Sequence, residues 1–292
     1  MASFRKGNIK SKIYKIKPKR SIFFRLWFWL IILFLAIIAA ATYFLLFYDG
    51  IQVKNIVIYG NEKLLNTDIE SLVLRDVNHK FFSIGNWEVN SKSIFLVNEK
   101  KIEKDALEKF LEIESIIASK NLPWTLNLEI KERKPLGAFC ALTFLTQSKE
   151  TDYECFAIDY SGIIFEPLEK ISDDVLIVRQ IEGAQQVALG QQVVDQSKIS
   201  AIYKIQKNLK DNFQISLKEA VIAGPERLNI ETSEGWDIYF DVDENFNDNS
   251  QITKLNLLLG GELTSEQRAN LKYIDLRPKD RAIVCDNDAC GA

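Results

Sequence analysis

Histidine is almost missing from this chain: among 292 residues, His79 stands alone. A Ser-His-Asp hydrolase or a histidine metal site would have to be built around that single side chain. It lies in a polar stretch beside Lys80, where a solvated loop residue is expected. Neither G-x-S-x-G nor H-E-x-x-H occurs, so two common hydrolase signatures are absent. No cysteine pair has C-x-x-C spacing, which leaves little for a zinc site. Carboxylates are plentiful, at 40 Asp plus Glu, and a glycosidase needs two of them, but most of so many acids must simply solvate a surface. We expect no catalytic residue, no cofactor and no metal. A membrane-anchored enzyme outside the cytoplasm stands as an alternative.

Charge is missing in two places. No acidic residue precedes Asp49, and residues 26–48 hold no Asp, Glu, Lys or Arg at all. A bilayer is crossed by about 20 apolar residues, so this run predicts a transmembrane helix over 26–48. The tail at 1–25 carries nine basic residues: Arg5, Lys6, Lys10, Lys12, Lys15, Lys17, Lys19, Arg20 and Arg25. Basic flanks stay cytoplasmic, which puts the N-terminus inside and the rest of the chain outside. Trp27, Trp29, Tyr43 and Tyr48 sit toward the ends, where aromatic rings suit the headgroup zone. Ala39-Ala40-Ala41 resembles a signal-cleavage site, but the apolar run continues through Tyr48, which favours an uncleaved anchor. Without the nine tail cations, 28 basic residues face 40 acidic ones, a balance near −12. Such an exported part is a poor match for nucleic acid.

Cys140, Cys155, Cys285 and Cys290 permit disulfides outside the membrane, in any of three connectivities. Cys140 and Cys155 flank a predicted hairpin, Leu136–Thr146 and Tyr153–Asp159, and would meet if the strand register allows. Cys285 and Cys290 would close a small loop.

Two modules follow the span. The first, at 51–132, reads β-α-α-β-β. It opens with the strand Val53–Tyr59 and a turn at Gly60-Asn61. A helix follows with capping-box spacing at Thr67-Asp68-Ile69-Glu70. A second helix near Lys100–Leu111 presents Ile102, Ala106, Leu107 and Phe110, and strands are predicted at Ile113–Lys120 and Thr125–Lys131. The second module, at 133–285, is β-rich with packed helices. Asp159-Tyr160-Ser161-Gly162 turns a hairpin, and Asp195–Leu209 is a helix. Leu228, Ile230 and Thr232 alternate on one strand, Trp236, Ile238 and Phe240 on the next. Ser250 starts a helix ending at Gly260-Gly261, and a closing strand runs from Tyr273 to Val284. Residues 286–292 form a tail. The fold class is α+β.

The landmarks resemble the FtsQ/DivIB family of bacterial cell-division proteins. Val53-Lys54-Asn55-Ile56-Val57-Ile58-Tyr59-Gly60-Asn61 is similar to the opening of a POTRA domain. The segment Leu122-Pro123-Trp124 through Glu132-Arg133-Lys134-Pro135 looks like the family's junction between modules. The hairpin Phe156–Phe165 and the stretch Tyr273–Ala282 resemble the corresponding parts of its β domain. The resemblance implies a non-enzymatic scaffold in the cytoplasmic (inner) membrane at the division septum, binding FtsB- and FtsL-type single-span proteins. Other division proteins would be held through the POTRA module. The family's main partner surface is the closing strand, which maps to Lys279, Arg281, Ala282, Ile283 and Val284, with Arg277 beside them. Asp275 and Leu276 are expected to be structural, one solvated and one in the core. The junction 132–135 is expected to be architectural, with Pro135 fixing extended geometry before it. A POTRA-bearing secretion or assembly factor is a further alternative, weakened by the absence of a barrel pattern.

Overall fold

The structure is a computed structural model and describes residues 26–84, 87–143, 152–181, 187–242 and 250–286. The basic tail 1–25, residues 144–151, and residues 287–292 with Cys290 lie outside the described residues. Helix α1 spans Leu26–Phe47, is apolar on every face and buries none of its residues within the protein. A helix hydrophobic all round needs an apolar surrounding, and 22 residues rise about 33 Å, enough to cross a hydrocarbon core.

Strands β1 (Asn55–Tyr59), β4 (Ile113–Asn121) and β5 (Thr125–Glu132) form a three-stranded sheet in the order β1-β5-β4. Leu126, Leu128 and Ile130 are buried on alternate positions of β5, as the period-2 pattern demands. Helices α2 (Asn66–Val77) and α3 (Glu99–Lys109) bury Ile69, Leu72 and Val73, and Ile102 and Ala106, respectively. Two expectations change here. α2 begins at Asn66, which puts Thr67 inside the first turn instead of at the cap. Leu107 is exposed, so the α3 stripe is narrower than its sequence suggests. Asn98 caps α3 by accepting the Lys101 amide at 3.2 Å.

Between α2 and α3 lies an antiparallel hairpin, β2 (His79–Ile84) and β3 (Trp87–Ser91). The observed order is therefore β-α-β-β-α-β-β. His79 opens a strand opposite Ser91 and is not in a loop; pairing across the hairpin gives this polar stretch the backbone partners that its local sequence does not announce.

The larger sheet has nine strands in the order β14-β13-β12-β11-β10-β9-β6-β7-β8. They are β6 (Pro135–Thr143), β7 (Asp152–Asp159), β8 (Ile164–Leu168), β9 (Ile177–Gln180), β10 (Leu217–Ile222), β11 (Arg227–Thr232), β12 (Asp237–Asp241), β13 (Leu271–Asp275) and β14 (Ile283–Asp286). Helix α4 (Gln196–Phe213) lays Ile199, Ile202, Ile205 and Leu209 into the same core as Ile230, Ile238, Phe240 and Ile274. Trp236 and Phe240 are its largest fully buried side chains. Helix α5 (Ser250–Leu257) adds Ile252 and Leu255, and a π turn carries the chain on to Glu262, past the expected stop at Gly260.

The chain separates into two compact units. One holds Met1–Asn55, Val77–Val97 and Lys120–Thr125; the other holds Ile56–Asp76, Asn98–Ser119 and Leu126–Ala292. The expected module boundary at 132/133 therefore falls inside the second unit. Hydrogen bonds of Glu132 and Arg133 fall within that unit. The Glu132 carboxylate accepts the backbone amides of Glu62, Lys63 and Leu64 at 2.8–3.1 Å, about 70 residues earlier. Those three donors hold its pKa below the ordinary carboxylate value, against the opposing pull of burial. Gly60 precedes this turn with φ +82°, and a Cβ there would collide with the Ile130 carbonyl. Arg133 donates from Nε to the Leu111 carbonyl at 2.9 Å and from Nη1 to Asp159.

Candidate partner-docking edge

The family resemblance implies a partner surface on one closing strand, Tyr273–Val284. The structure breaks that segment into two antiparallel strands, β13 and β14, joined by residues 276–282. Pro278 sits in the middle and has no amide to donate to a ladder, so a continuous strand is disfavoured there. The register pairs Asp275 with Ile283, Ile274 with Val284 and Tyr273 with Cys285. β14 extends one residue into the expected tail, to Asp286.

The connection is held from below by α5. Lys254 Nζ donates to the carbonyls of Leu276 at 2.7 Å, Pro278 at 2.6 Å and Arg281 at 3.3 Å. One ammonium thus supplies donors to three carbonyls of this connection. Burial pulls the Lys254 pKa down, and the nearby carboxylates of Asp275 and Asp280 oppose it.

Asp275 is buried, not solvated as expected. Its carboxylate takes the Arg277 amide at 3.0 Å, Nε at 2.8 Å and Nη2 at 2.7 Å, a two-pronged fork with one extra bond. The guanidinium also lies 5.4 Å from the Tyr239 ring centroid. Arg277 is therefore paired internally with Asp275. It also lines an open cleft with Glu226, Arg227 and Asp241, whose mixed charges favour no single ligand sign.

The other expected residues are distributed differently. Lys279 and Arg281 are exposed in the connection, Arg281 with Asp280 at 3.6 Å. Ala282 and Val284 are half-buried against the core, and Cys285 is fully buried. Ile283 is 45% exposed at the start of β14. Of the six, only Ile283 and Val284 lie on the edge strand. Cys140 and Cys155 face each other across β6 and β7 and are bonded. Cys285 is also in a disulfide. Among the described residues, no group of three or more His, Cys, Asp and Glu is gathered as a metal site would need.

A pH test follows from the Asp275 fork. The Arg277 hydrogen bonds hold the Asp275 pKa below its ordinary 3.8. The stability it contributes is therefore complete above that value and is lost as pH falls through the lower folded value. Asp275→Asn is expected to cost about 1.5 kcal/mol at pH 7 in urea unfolding. The gap to the parent protein should close as the pH drops below 4, and a gap independent of pH would refute the assignment.

No protein-family model matches this chain, and no curated protein matches it.

Proposed function

We propose that this chain is a bitopic scaffold of the bacterial division machinery, of the FtsQ/DivIB kind. It binds FtsB- and FtsL-type single-span partners outside the cytoplasmic membrane and links them to septal wall synthesis. The N-terminus is cytoplasmic, by the charge of the tail, and the protein acts at the septum. The three-stranded sheet with α2 and α3 serves as a POTRA-type module in which β2–β3 is an insertion. The bonded Cys140–Cys155 pair suits an oxidising compartment outside the cytoplasm.

The observation that carries this reading is the position of β14 at the end of the nine-stranded sheet. Among the described residues no strand lies beyond it. A terminal strand can extend its sheet with a segment of another chain. The opposite end of the sheet, β8, is a poorer template. It contains Pro167, which has no amide, and Glu166, which faces Lys63 at 3.5 Å. β14 has no proline and leads with an exposed isoleucine. Lys279 and Arg281, exposed just before it, favour an acidic partner segment.

Ile283→Pro tests the idea. The full-length tagged variant, solubilised from membranes of its own host, is expected to keep its circular dichroism spectrum and to lose recovery of small single-span coiled-coil proteins. Cells relying on it should filament. Undiminished partner recovery by the folded variant would refute strand addition at β14.

A further inference from the structure

The span does not end in bare backbone. A helix leaves its last four carbonyls without partners inside the helix. Here Ser91 Oγ donates to the Leu46 carbonyl at 2.5 Å, and Ser93 Oγ donates to that of Leu45 at 2.7 Å. Gln52 Nε2 also donates to Leu46, at 2.9 Å. Further bonds lead outward from this cap. The Lys92 amide donates to Gln52 Oε1 at 2.9 Å, and the Val53 amide to the Lys92 carbonyl at 2.9 Å. The Lys54 amide donates to the Trp124 carbonyl at 2.9 Å. All these residues belong to the same compact unit as α1.

Three large apolar side chains in that unit stay exposed although they lie close in sequence or bonding to the cap. Phe95 is 54% exposed, Leu122 57% and Trp124 42%. Lys54 Nζ stands 5.8 Å from the Trp124 ring centroid, and Lys92 is exposed. A tryptophan and aliphatic groups beside lysines form the mixture that settles at a bilayer interface. The ring is apolar with one N–H, and the lysine stem lies in apolar surroundings while its head stays wet.

We infer that Phe95, Leu122 and Trp124, with Lys54 beside the tryptophan, rest in the headgroup zone of the leaflet at the Tyr48 end of the span. This inference rests on the reading of α1 as a membrane span and not on the division role. Lipid is the occupant because hydrogen bonds tie the segments that carry these side chains to the end of a helix that lipid must cover. No residue of α1 is buried within the protein, and Ser93, which binds Leu45, lies two residues before Phe95. Leu46 is about 3 Å along the axis from Tyr48, so the cap begins where hydrocarbon gives way to headgroups. The consequence is that the membrane-proximal unit lies on the bilayer and does not swing free on the end of a helix.

Nitroxide depth measurements decide the matter. The full chain is reconstituted into phosphatidylethanolamine–phosphatidylglycerol vesicles after Phe95→Cys, Leu122→Cys or Trp124→Cys labelling. Ile37→Cys serves as the hydrocarbon control and Ile181→Cys, 62% exposed, as the water control. Among the described residues no cysteine is free to compete for the label. The three test sites are expected to show a several-fold higher ratio of oxygen to nickel-chelate collisions than Ile181→Cys, and a lower one than Ile37→Cys. Test sites as wet as Ile181→Cys, with Ile37→Cys still at hydrocarbon depth, would overturn the lipid contact alone. Test sites shielded from both quenchers would overturn it in favour of a protein cover. A wet Ile37→Cys would overturn the span and the lipid contact together.

Discussion

Asp159→Ala is expected to destabilise the second compact unit by about 3–5 kcal/mol, the range found when one partner of a buried ion pair is removed. The Asp159 and Arg133 side chains are only 5% and 15% exposed. Asp159 accepts Arg133 Nη1 on one oxygen and the amides of Ser161 at 2.8 Å and Ile163 at 2.9 Å on the other. Alanine would leave a guanidinium buried beside two unpaired amides. It would also loosen the turn that ends at Gly162, where φ is +80° and a Cβ would strike the Val194 carbonyl. Arg133 has other duties, since its amide donates to Glu112 at 2.7 Å and its Nε to Leu111. The damage should therefore reach β4 as well as the β7–β8 turn. Urea unfolding followed by circular dichroism measures the loss. Lys131→Ala is the control. Its pair with Glu114 is solvent-exposed and should cost no more than about 1 kcal/mol. Equal losses for the two variants would show that the buried pair is not what ties the junction. Replacing both partners, as Arg133→Met with Asp159→Leu, should recover most of the stability, because no uncompensated charge then remains.

The second large effect concerns Cys140 and Cys155. Replacing both with alanine is expected to cost about 3 kcal/mol, from the chain-entropy value for a loop of about 15 residues. The two cysteines are separated by 15 positions and occupy directly opposite places on β6 and β7. Alanine substitution, in contrast to a reducing agent, leaves the disulfide at Cys285 untouched, so the effect belongs to this bond alone. Thermal unfolding of parent and variant gives the comparison. A shift smaller than that of a surface substitution would mean that the β6–β7 ladder already confines the unfolded loop.

The elements legible in the sequence are those whose signal is local. The long apolar helix α1 follows from a run of residues without charge. The alternation Leu228, Ile230, Thr232 and then Trp236, Ile238, Phe240 puts one dry face on β11 and β12, and all six side chains are buried. The stripe Ile199, Ile202, Ile205, Leu209 marks the face of α4 that meets the core. The turn at Asp159–Gly162 combines a carboxylate that binds its own backbone with a glycine free to take positive φ. The meeting of Cys140 with Cys155 depended on register, which alternation narrows but does not determine alone.

What escaped the sequence depends on partners far along the chain. Nothing near Arg277 announces that Tyr239 will lie beside its guanidinium, and nothing near Pro278 announces a lysine from α5 at its carbonyl. The β2–β3 hairpin carries too mixed a pattern to be read locally, because its backbone is satisfied across the strands. Glu132 reads as one more surface acid until the turn at 62–64 folds over it. By itself, then, the sequence determined the helix long and apolar enough to cross a membrane, the dry faces of its strands and helices, and the turns whose chemistry lies within a few residues. The tertiary structure decided which strands end the large sheet, which charges are committed to internal pairs, and where the compact units divide. The physical reason is that periodicity and turn chemistry act over a few residues, whereas hydrogen bonds and ion pairs between distant segments form only after the chain has closed on itself.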